Sequence, residues 1–313
     1  MSGRVVILGI YVTDLAFRAS RMPMIGETLA GSAFAMGPGG KGSNQAVAAA
    51  RAGAQVVFCT RVGNDAFGDI ARATWAAEGI TARTQAVDGL ATGAAHIFVD
   101  DTTGMNAIIV AAGAAGTMEP GDAEAIEADI AASQVFVTQL EQPLAAARRG
   151  LELARRHGVK TVFNPAPAMA LPDDIFPLCD YITPNETEAQ ALTGIEIRNA
   201  DDARRAADVL LAKGAGAVIV TLGEAGALLH TRDASVLLPA FNCGPVVETA
   251  GAGDGFTGGF AAALARGDDA LTATRFGCAL AGISVTRPGT APSMPRKEEV
   301  DAMLARTANA SAH

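Results

Sequence analysis

The 313-residue chain is half hydrophobic and acidic, with a formal net charge of −9 at pH 7. An acidic chain without a basic run is a poor partner for nucleic acid or an anionic membrane, so we expect it to bind neither. Its only N-terminal apolar run, residues 5–10, is too short for a signal peptide or a membrane span. Four scattered cysteines without metal-ligand spacing indicate buried thiols in a reducing compartment, and we therefore expect a cytoplasmic protein.

Short β-branched runs alternate with helical patterns along most of the chain. Strands are predicted at residues 4–9, 55–62, 135–138, 160–164, 181–184 and 218–222. Helices are predicted at residues 46–52, 67–78, 121–132 and 144–157. This alternation is typical of an α/β fold in which helices cover both faces of a mostly parallel sheet.

Two extended regions do not fit the strand–helix alternation. Residues 11–36 are strand-like but interrupted by proline and glycine, and residues 93–111 have the pattern of a hairpin around the turn at 100–104. Together they predict a small β-sheet lid outside the main sheet. We expect residues 1–306 to form a single domain, followed by a frayed tail at 307–313.

Three glycines surround Asp254, directly before an apolar helical pattern at residues 260–265. Such a turn presents backbone N–H groups at a helix N-terminus, where the helix dipole favours an anion. A carboxylate that faces bound phosphate is repelled by the phosphate charge, so a role other than phosphate binding is expected for Asp254. The obvious role is to take a proton from an attacking hydroxyl. The N–H groups of Ala252 and Gly253 would then stabilise the transferred phosphoryl group. An N-capping aspartate on a glycine-rich turn is an equally good alternative.

A second glycine-rich turn runs from Gly37 to Gln45. Its glycines satisfy the spacing of a dinucleotide-binding turn, but no first strand of a domain precedes them, which argues against a nicotinamide dehydrogenase. A Walker loop is excluded because Gly42 follows Lys41 where Ser or Thr is required. We interpret the segment as a turn that approaches a small polyhydroxylated ligand closely, with Lys41 and Asn44 as donors; a plain glycine turn entering a helix is the alternative.

Polar clusters also lie where predicted strands end. Asp14 follows the first strand, and further clusters occupy residues 139–141, 164–167 and 184–188. The carboxyl ends of parallel strands are where such sheets bind ligands. Asn185 and Glu188 have the spacing of a capping box, and alternatively hold water around Mg²⁺ or contact a nucleotide phosphate.

These segments, in this order, resemble the ribokinase family of carbohydrate kinases (pfkB-type), from Val5 to about Leu304. The two family signatures match residues 39–46 and 249–254, and further similarity lies at residues 139–141, 164–167, 183–188, 221–223 and 285–289. The resemblance implies a ribokinase-like α/β fold and ATP-dependent transfer of a γ-phosphoryl group to the 5-hydroxyl of a pentose, with D-ribose as the first expectation. It also implies a homodimer formed through the β-lid.

The resemblance assigns roles to individual residues. Asp254 would be the catalytic base, and the anion hole would be formed by Gly251, Ala252 and Gly253 with Asp254. The sugar would be bound by Asp254 with Asp14, Val12, Gly40, Lys41, Asn44 and Glu141. ATP and Mg²⁺ would be served by Asn185, Glu188, Thr221, Gly223, Gly226, Gly253 and Cys278. An activating K⁺ would lie at Glu248, Ala250, Ser284, Arg287, Gly289 and Ser293.

Three positions depart from the family pattern. Val12 replaces an asparagine, which makes 2-deoxyribose an alternative substrate because valine cannot hydrogen-bond a hydroxyl. Glu248 replaces the usual aspartate beside the cation, and Cys278 stands where a polar residue often faces adenine. Other family sugars and nucleosides remain open as acceptors, and a catalytically silent sugar- or nucleotide-binding protein is the alternative from another class.

Overall fold

The computed structural model describes residues 3–310. Its strands are β1 Arg4–Leu8, β2 Val12–Ala19, β3 Ala33–Gly39, β4 Gln55–Val62, β5 Thr81–Ala86, β6 Thr92–Asp100, β7 Asn106–Gly113, β8 Val135–Thr138, β9 Lys160–Phe163, β10 Tyr181–Ile182, β11 Ala217–Thr221, β12 Ala227–His230 and β13 Ser235–Leu238. Its α-helices are α1 Lys41–Arg51, α2 Ala66–Ala77, α3 Pro120–Ala125, α4 Glu127–Ala131, α5 Leu144–Arg156, α6 Glu186–Thr193, α7 Ala200–Ala212, α8 Ala252–Arg266, α9 Ala270–Ser284 and α10 Lys297–Ala310.

The main sheet has nine strands in the order β13-β12-β11-β10-β9-β8-β1-β4-β5. Strands β12 and β13 pair antiparallel at one edge, and the strands from β11 to β5 pair in parallel. The predicted, mostly parallel sheet is therefore confirmed. Its carboxyl ends deliver the loops in which the polar clusters lie.

Helices cover both faces of the main sheet, as predicted. On β1, Val5 and Ile7 belong to one apolar core, whereas Val6 and Leu8 belong to the other. The first core is completed by α1, α2, α8, α9 and α10, and the second by α3 to α7. A strand buried on both faces reads as a continuous apolar run, which explains the sequence of β1.

The small sheet has the order β3-β2-β6-β7, with β6 and β7 forming the predicted antiparallel hairpin. Strand β2 begins four residues after β1 ends, so the chain passes directly from the main sheet into the lid. Both edges of the lid carry exposed apolar side chains, including Phe34 on β3 and Ile109 on β7. The lid predicted from residues 11–36 and 93–111 is thus present as a separate sheet.

Several boundaries differ from the predictions. Helix α1 begins at Lys41 instead of residue 46, because Gly40 adopts φ +85° and turns the chain into the helix five residues earlier. The helix predicted at 121–132 is divided at Ile126, where φ is −109° and ψ is 15°. Strand β5 was not predicted, since its sequence is polar and exposed.

The C-terminal segment is helical further than expected. Helix α10 continues to Ala310, four residues into the stretch expected to be a frayed tail, and residues 311–313 lie outside the described residues. Between residues 3 and 310, the helices are too short or too polar to cross a bilayer.

Candidate active site

Asp254 lies in the first turn of α8, is 6% exposed, and is held by two side-chain amides from α1. Asn44 Nδ2 donates to Asp254 Oδ2 at 3.0 Å, and Gln45 Nε2 donates to Asp254 Oδ1 at 3.0 Å. Helices α1 and α8 come this close because of Gly258, where an added Cβ would lie 2.5 Å from the Gln45 carbonyl oxygen. The glycine one helical turn after Asp254 therefore brings the two donors to the carboxylate.

The turn before Asp254 presents backbone donors to open space. Gly251 adopts φ +80°, and an added Cβ at Gly253 would meet no atom within 4 Å. Within residues 3–310, we find no acceptor for the N–H groups of Gly253 and Asp254, whereas the Ala252 N–H donates to Thr249 O at 3.2 Å. The N–H groups of Gly253 and Asp254 thus have no partner among the described residues, and the roles of Gly251 and Ala252 in an anion hole stay predictions.

Asp14 lies on lid strand β2 and faces the loop that follows α9. Thr290 Oγ1 lies 3.2 Å from Asp14 Oδ2, and the Cβ of a side chain at Gly39 would lie 2.1 Å from Asp14 Oδ1. Burial raises the pKa of Asp14 to about 6; the Thr290 hydrogen bond opposes this rise, and the charges of Asp254 and Glu248 add to it. A half-buried carboxylate is thereby placed where lid strand β2 meets the loop after α9.

Lys41 and Glu141 form a second pair of charged residues predicted to bind the sugar. The backbone N–H of Lys41 donates to Glu141 Oε2 at 2.8 Å, which joins the start of α1 to the loop after β8. Burial raises the pKa of Glu141 to about 7, against the opposing charge of Lys41. The negative charge of Asp254 raises the pKa of Lys41, so its ammonium group stays protonated at neutral pH.

Val12 lies two residues before Asp14 on β2 and is therefore on the same face of the strand. It is 2% exposed and packs in a small apolar cluster with Ile10, Ala95 and Ala115. Gly40 passes close to the same segment, since its Cβ would lie 2.8 Å from the Val12 nitrogen. The structure thus places an apolar group where the sequence predicted contact with the sugar.

Comparison with known proteins decides the family. A family model described as pfkB family carbohydrate kinase matches residues 2–297. The chain belongs to the pfkB family of carbohydrate kinases. As a member of this family, it is a phosphotransferase whose acceptor is an alcohol group. The family resemblance stated from the sequence is therefore confirmed.

Similar proteins align over nearly the whole length of this pfkB-family chain. A ribokinase from Haemophilus influenzae is 39% identical over 300 residues, which cover 96% of this chain and 97% of its own. A deoxyribokinase from Salmonella typhimurium is 38% identical over 302 residues, which cover 96% and 98%. A structure of Arabidopsis thaliana ribokinase complexed with ribose and ATP is 27% identical, has a TM-score of 0.89, and covers 97% and 99%. The ribokinase-like fold is confirmed by this likeness.

Three of the residues predicted to serve the nucleotide, Asn185, Glu188 and Thr221, lie together at the ends of β10 and β11. Asn185 and Thr221 form an isolated parallel bridge. The Asn185 side chain accepts from the Glu188 N–H at 2.8 Å, and Glu188 Oε2 accepts from the Asn185 N–H at 2.9 Å, so the capping box is present. Burial raises the pKa of Glu188. The helix-capping interpretation is therefore confirmed. The Glu188 carboxylate and the Asn185 amide both lie beside the ends of β10 and β11.

Glycines shape the turn after β11, and Cys278 lies deeper in this pfkB-family domain. Gly223 and Gly226 have φ values of +50° and +99°, and a Cβ at Gly226 would lie 2.0 Å from Leu238 O. Cys278 is 7% exposed on α9 and belongs to the first apolar core. Its position beside adenine remains a prediction.

The residues predicted to hold a monovalent cation lie around the turn that follows α9 and the segment before α8. Glu248 Oε2 accepts from the Gly289 N–H at 2.8 Å, and the Glu248 N–H donates to Val285 O at 3.2 Å. Ser284 and Ser293 use their hydroxyls within their own turns, as donors to Ala281 O and Thr290 O, and the Arg287 side chain forms an ion pair with Glu299. Glu248, Gly289 and the carbonyls around Ser284 therefore lie together, while the other side chains have separate partners.

Four residues at or next to the predicted site had no role predicted from the sequence. Gln45 contacts the base directly, Gln139 and Asn164 contact Gln45, and Thr290 contacts Asp14. Gln45, Gln139 and Asn164 lie within the motifs and strand-end clusters, but no role was predicted for their side chains. Thr290 lies outside those segments. The available signal was burial: a polar residue following a buried strand or opening a buried helix needs a partner.

Proposed function

We propose that this pfkB-family enzyme transfers the γ-phosphoryl group of ATP to the 5-hydroxyl of a pentose, with D-ribose as the principal acceptor. One observation carries the proposal: the Asp254 carboxylate is held by two amide donors at the N-terminus of α8, next to the unpaired N–H groups of Gly253 and Asp254. A base and an anion site side by side are what phosphoryl transfer to an alcohol needs. The 39% identity to a ribokinase and the fold shared with a ribose–ATP complex support the choice of sugar.

In the proposed reaction, Asp254 accepts the proton of the attacking hydroxyl while that oxygen bonds to the γ-phosphorus of ATP. The bond from this phosphorus to the β–γ bridging oxygen breaks, and ADP leaves. Asn44 and Lys41 donate to sugar hydroxyls, and Asp14 and Glu141 accept from them. The N–H groups of Gly253 and Asp254 stabilise the negative charge on the transferred group. Catalysis is then mainly positioning and charge stabilisation, and the lid excludes water that would otherwise hydrolyse ATP.

Magnesium is proposed as the metal that accompanies ATP. Within residues 3–310 there is no group of three or more His, Cys, Asp or Glu side chains that could form a metal cage. This fits Mg²⁺, which usually keeps several waters and binds through one or two carboxylates together with substrate phosphates. Glu188 and Asn185 would hold its water shell, and the ion would neutralise phosphate charge. The nucleotide itself would lie over Thr221, Gly223, Gly226 and Cys278.

Potassium is proposed as an activator at the Glu248–Gly289 contact. Glu248 Oε1 accepts no hydrogen bond from the described part of the chain, and the Glu248 N–H donates to the Val285 carbonyl at 3.2 Å. Carboxylate and carbonyl oxygens are hard ligands that suit such a cation. A potassium titration of turnover tests this, and a flat response would contradict it.

2-Deoxyribose is the second candidate substrate, and the burial of Val12 in an apolar cluster favours it. A hydroxyl placed against Ile10, Val12 and Ala95 has no partner there, and an unpaired buried hydroxyl costs about 1–3 kcal/mol. The 38% identity to a deoxyribokinase supports this alternative.

We also propose that the enzyme is a homodimer formed through the lid. Strand β7 is a lid edge on which three successive apolar residues, Ile108, Ile109 and Val110, are 49%, 67% and 48% exposed. Open, apolar edge strands are normally covered in stable proteins.

All four cysteines are free, which supports the predicted reducing, cytoplasmic environment.

A coupled ADP-release assay with ATP and Mg²⁺ tests the proposed function. The panel holds ribose, 2-deoxyribose, fructose, keto-deoxygluconate and several nucleosides. Turnover on a pentose supports the proposal, whereas sugar binding without ADP release would favour the catalytically silent binding protein. A hexose or nucleoside as the best acceptor would overturn the pentose assignment while leaving the family unchanged.

A further inference from the structure

A chain of buried amides lies behind Asp254, on the side away from Asn44. Gln45 Nε2 donates to Asp254 Oδ1 at 3.0 Å and to Asn164 Oδ1 at 3.1 Å, and Gln139 Nε2 donates to Gln45 Oε1 at 2.5 Å. Gln45 and Gln139 are fully buried, and Asn164 is 6% exposed. Helix α1, the loop after β8 and the loop after β9 each supply one amide to this chain.

The direction of each hydrogen bond along this row of amides is fixed by the two groups at its ends, Asn164 and Asp254. Asn164 Nδ2 donates to the backbone carbonyl of Thr183 at 2.9 Å, so Asn164 must turn its oxygen towards Gln45. An ionised Asp254 also only accepts hydrogen bonds. Gln45 therefore needs both hydrogens of its Nε2 for these two acceptors, and only its oxygen is left for Gln139.

Gln139 is held in place to provide that last donor. Its Oε1 has no hydrogen-bond partner in the described chain and lies against Gly9, where an added Cβ would be 2.2 Å away. The space left by Gly9 lets Gln139 turn its Nε2 to Gln45.

We propose that Gln45 is a positioning residue for the base, and that Gln139 sets the orientation of the Gln45 amide. The proposal rests on Asp254 acting as the base in the proposed reaction. An N–H donor stabilises the ionised carboxylate and fixes its rotation, with Asp254 Oδ1 held by Gln45 and Asp254 Oδ2 held by Asn44. A reversed Gln45 amide would place an oxygen against the carboxylate and repel it.

The first test is Gln45→Met, which keeps the side-chain length and removes the donor. Loss of a hydrogen bond to a charged group should lower kcat by about 10- to 100-fold. The sugar KM and the sugar dissociation constant from calorimetry should stay within about twofold, because Gln45 is fully buried behind the carboxylate. A side chain needed only for packing would change stability without this selective loss of kcat.

Gln142→Met is the matched control. Gln142 is also a buried amide in the loop after β8, but it donates to Thr138 Oγ1 and to Gln139 O, both at 2.8 Å, and does not contact Asp254. Its replacement should lower the melting temperature by an amount comparable with Gln45→Met and leave kcat within about twofold.

A double-mutant cycle tests the role of Gln139. In the wild-type background, Gln139→Met should lower kcat by about 3- to 30-fold, because the Gln45 amide can then rotate. In the Gln45→Met background, the same change should have almost no further effect on kcat, since Gln139 acts on Asp254 through the Gln45 amide, which this background lacks. Additive losses would show that Gln139 acts independently of Gln45 and would overturn that half of the proposal.

The outcomes separate this inference from the proposed function. If the wild-type enzyme releases ADP with its best sugar and Gln45→Met retains at least half of its kcat, the positioning role is wrong although the kinase assignment stands. A parallel rise in the sugar dissociation constant would also contradict it, because Gln45 would then act in sugar binding. Should Gln45→Met not fold, a selective kcat loss in Gln139→Met but not in Gln142→Met supports the inference, and equal kcat values overturn it.

Discussion

Thr290 Oγ1 lies 3.2 Å from Asp14 Oδ2, and this contact joins the loop after α9 to lid strand β2. The same hydroxyl lies 3.1 Å from Pro38 O on β3, and the Thr290 Cβ lies 3.2 Å from the position that a Cβ on Gly251 would take. One side chain thus contacts the predicted sugar carboxylate, the lid and the phosphate turn. The position of Thr290 should therefore affect how the lid and the anion site come together.

Thr290→Val should weaken sugar binding. The change keeps the shape of the side chain but removes the hydroxyl beside Asp14, and a lost hydrogen bond to a charged group corresponds to about a tenfold rise in the sugar KM. The KM for ATP should change by less than about twofold. Thr286→Val is the control, because the Thr286 hydroxyl donates only to Ile283 O at 2.7 Å. Equal sugar KM values for the two variants would contradict a role for the Thr290–Asp14 contact.

Val12→Asn should shift the preference towards ribose. Asparagine adds a donor and an acceptor on the face of β2 that carries Asp14, and one satisfied hydrogen bond is worth about 1 kcal/mol, or roughly a fivefold change in the ratio of kcat/KM for ribose to that for 2-deoxyribose. Because Val12 is 2% exposed in an apolar cluster, stability should fall as well. An unchanged ratio in a folded variant would show that residue 12 does not face the sugar.

The stability of the ligand-free protein should depend on the protonation of Glu141. Burial raises its pKa from 4.5 to about 7, so between these values the folded protein keeps a proton that the unfolded chain has released. The free energy of unfolding therefore decreases as pH rises through this window. In Glu141→Gln this decrease should be smaller by up to about 3 kcal/mol.

Urea unfolding at about pH 5 and about pH 7.5 measures this difference. Glu298→Gln, which changes an exposed carboxylate on α10, is the control and should match the wild type. Asp14 contributes in the same direction, since burial raises its pKa to about 6. A Glu141→Gln variant with the wild-type pH dependence would contradict the raised pKa of the Glu141 carboxyl.

Ile109→Lys should convert the proposed dimer to a monomer. Ile109 is 67% exposed on lid edge β7, and a lysine there places a charge on an edge that would pair with a second lid. Light scattering gives the mass directly. Leu271→Lys is the control, because Leu271 is also apolar and 43% exposed but lies on α9. A wild-type monomer, or a dimer that persists in Ile109→Lys, would contradict assembly through this edge.

Much of the fold was predictable because its signals are local. The β1 run from Val5 to Leu8 is apolar on both faces, and the turn at residues 100–104 specifies the β6–β7 hairpin. The start of α1 was placed five residues too late because the glycines before it obscure the helical pattern; only the φ of +85° at Gly40 shows that the helix begins there. Strand β5 has no apolar periodicity, and its place is set by pairing with β4.

The structure brings together predicted site residues that come from well-marked motifs, and it adds contacts from distant segments that no motif indicated. Asn44 and Asp254 were named from two glycine-rich motifs 210 residues apart, and the structure joins them. No role was predicted for Gln45, although it follows Asn44, because its partners Gln139 and Asn164 come from two other loops. Thr290 lies 276 residues from Asp14, and no sequence pattern connects them.

The most direct measurement is ADP release from ATP and Mg²⁺ with ribose and 2-deoxyribose, comparing the wild-type enzyme with Asp254→Asn. The wild type should phosphorylate a pentose, and the variant should keep sugar binding while losing about 10²- to 10⁴-fold in kcat, because proton removal by Asp254 is lost. Near-normal turnover in Asp254→Asn, or no pentose-dependent ADP release by the wild type, would contradict the account.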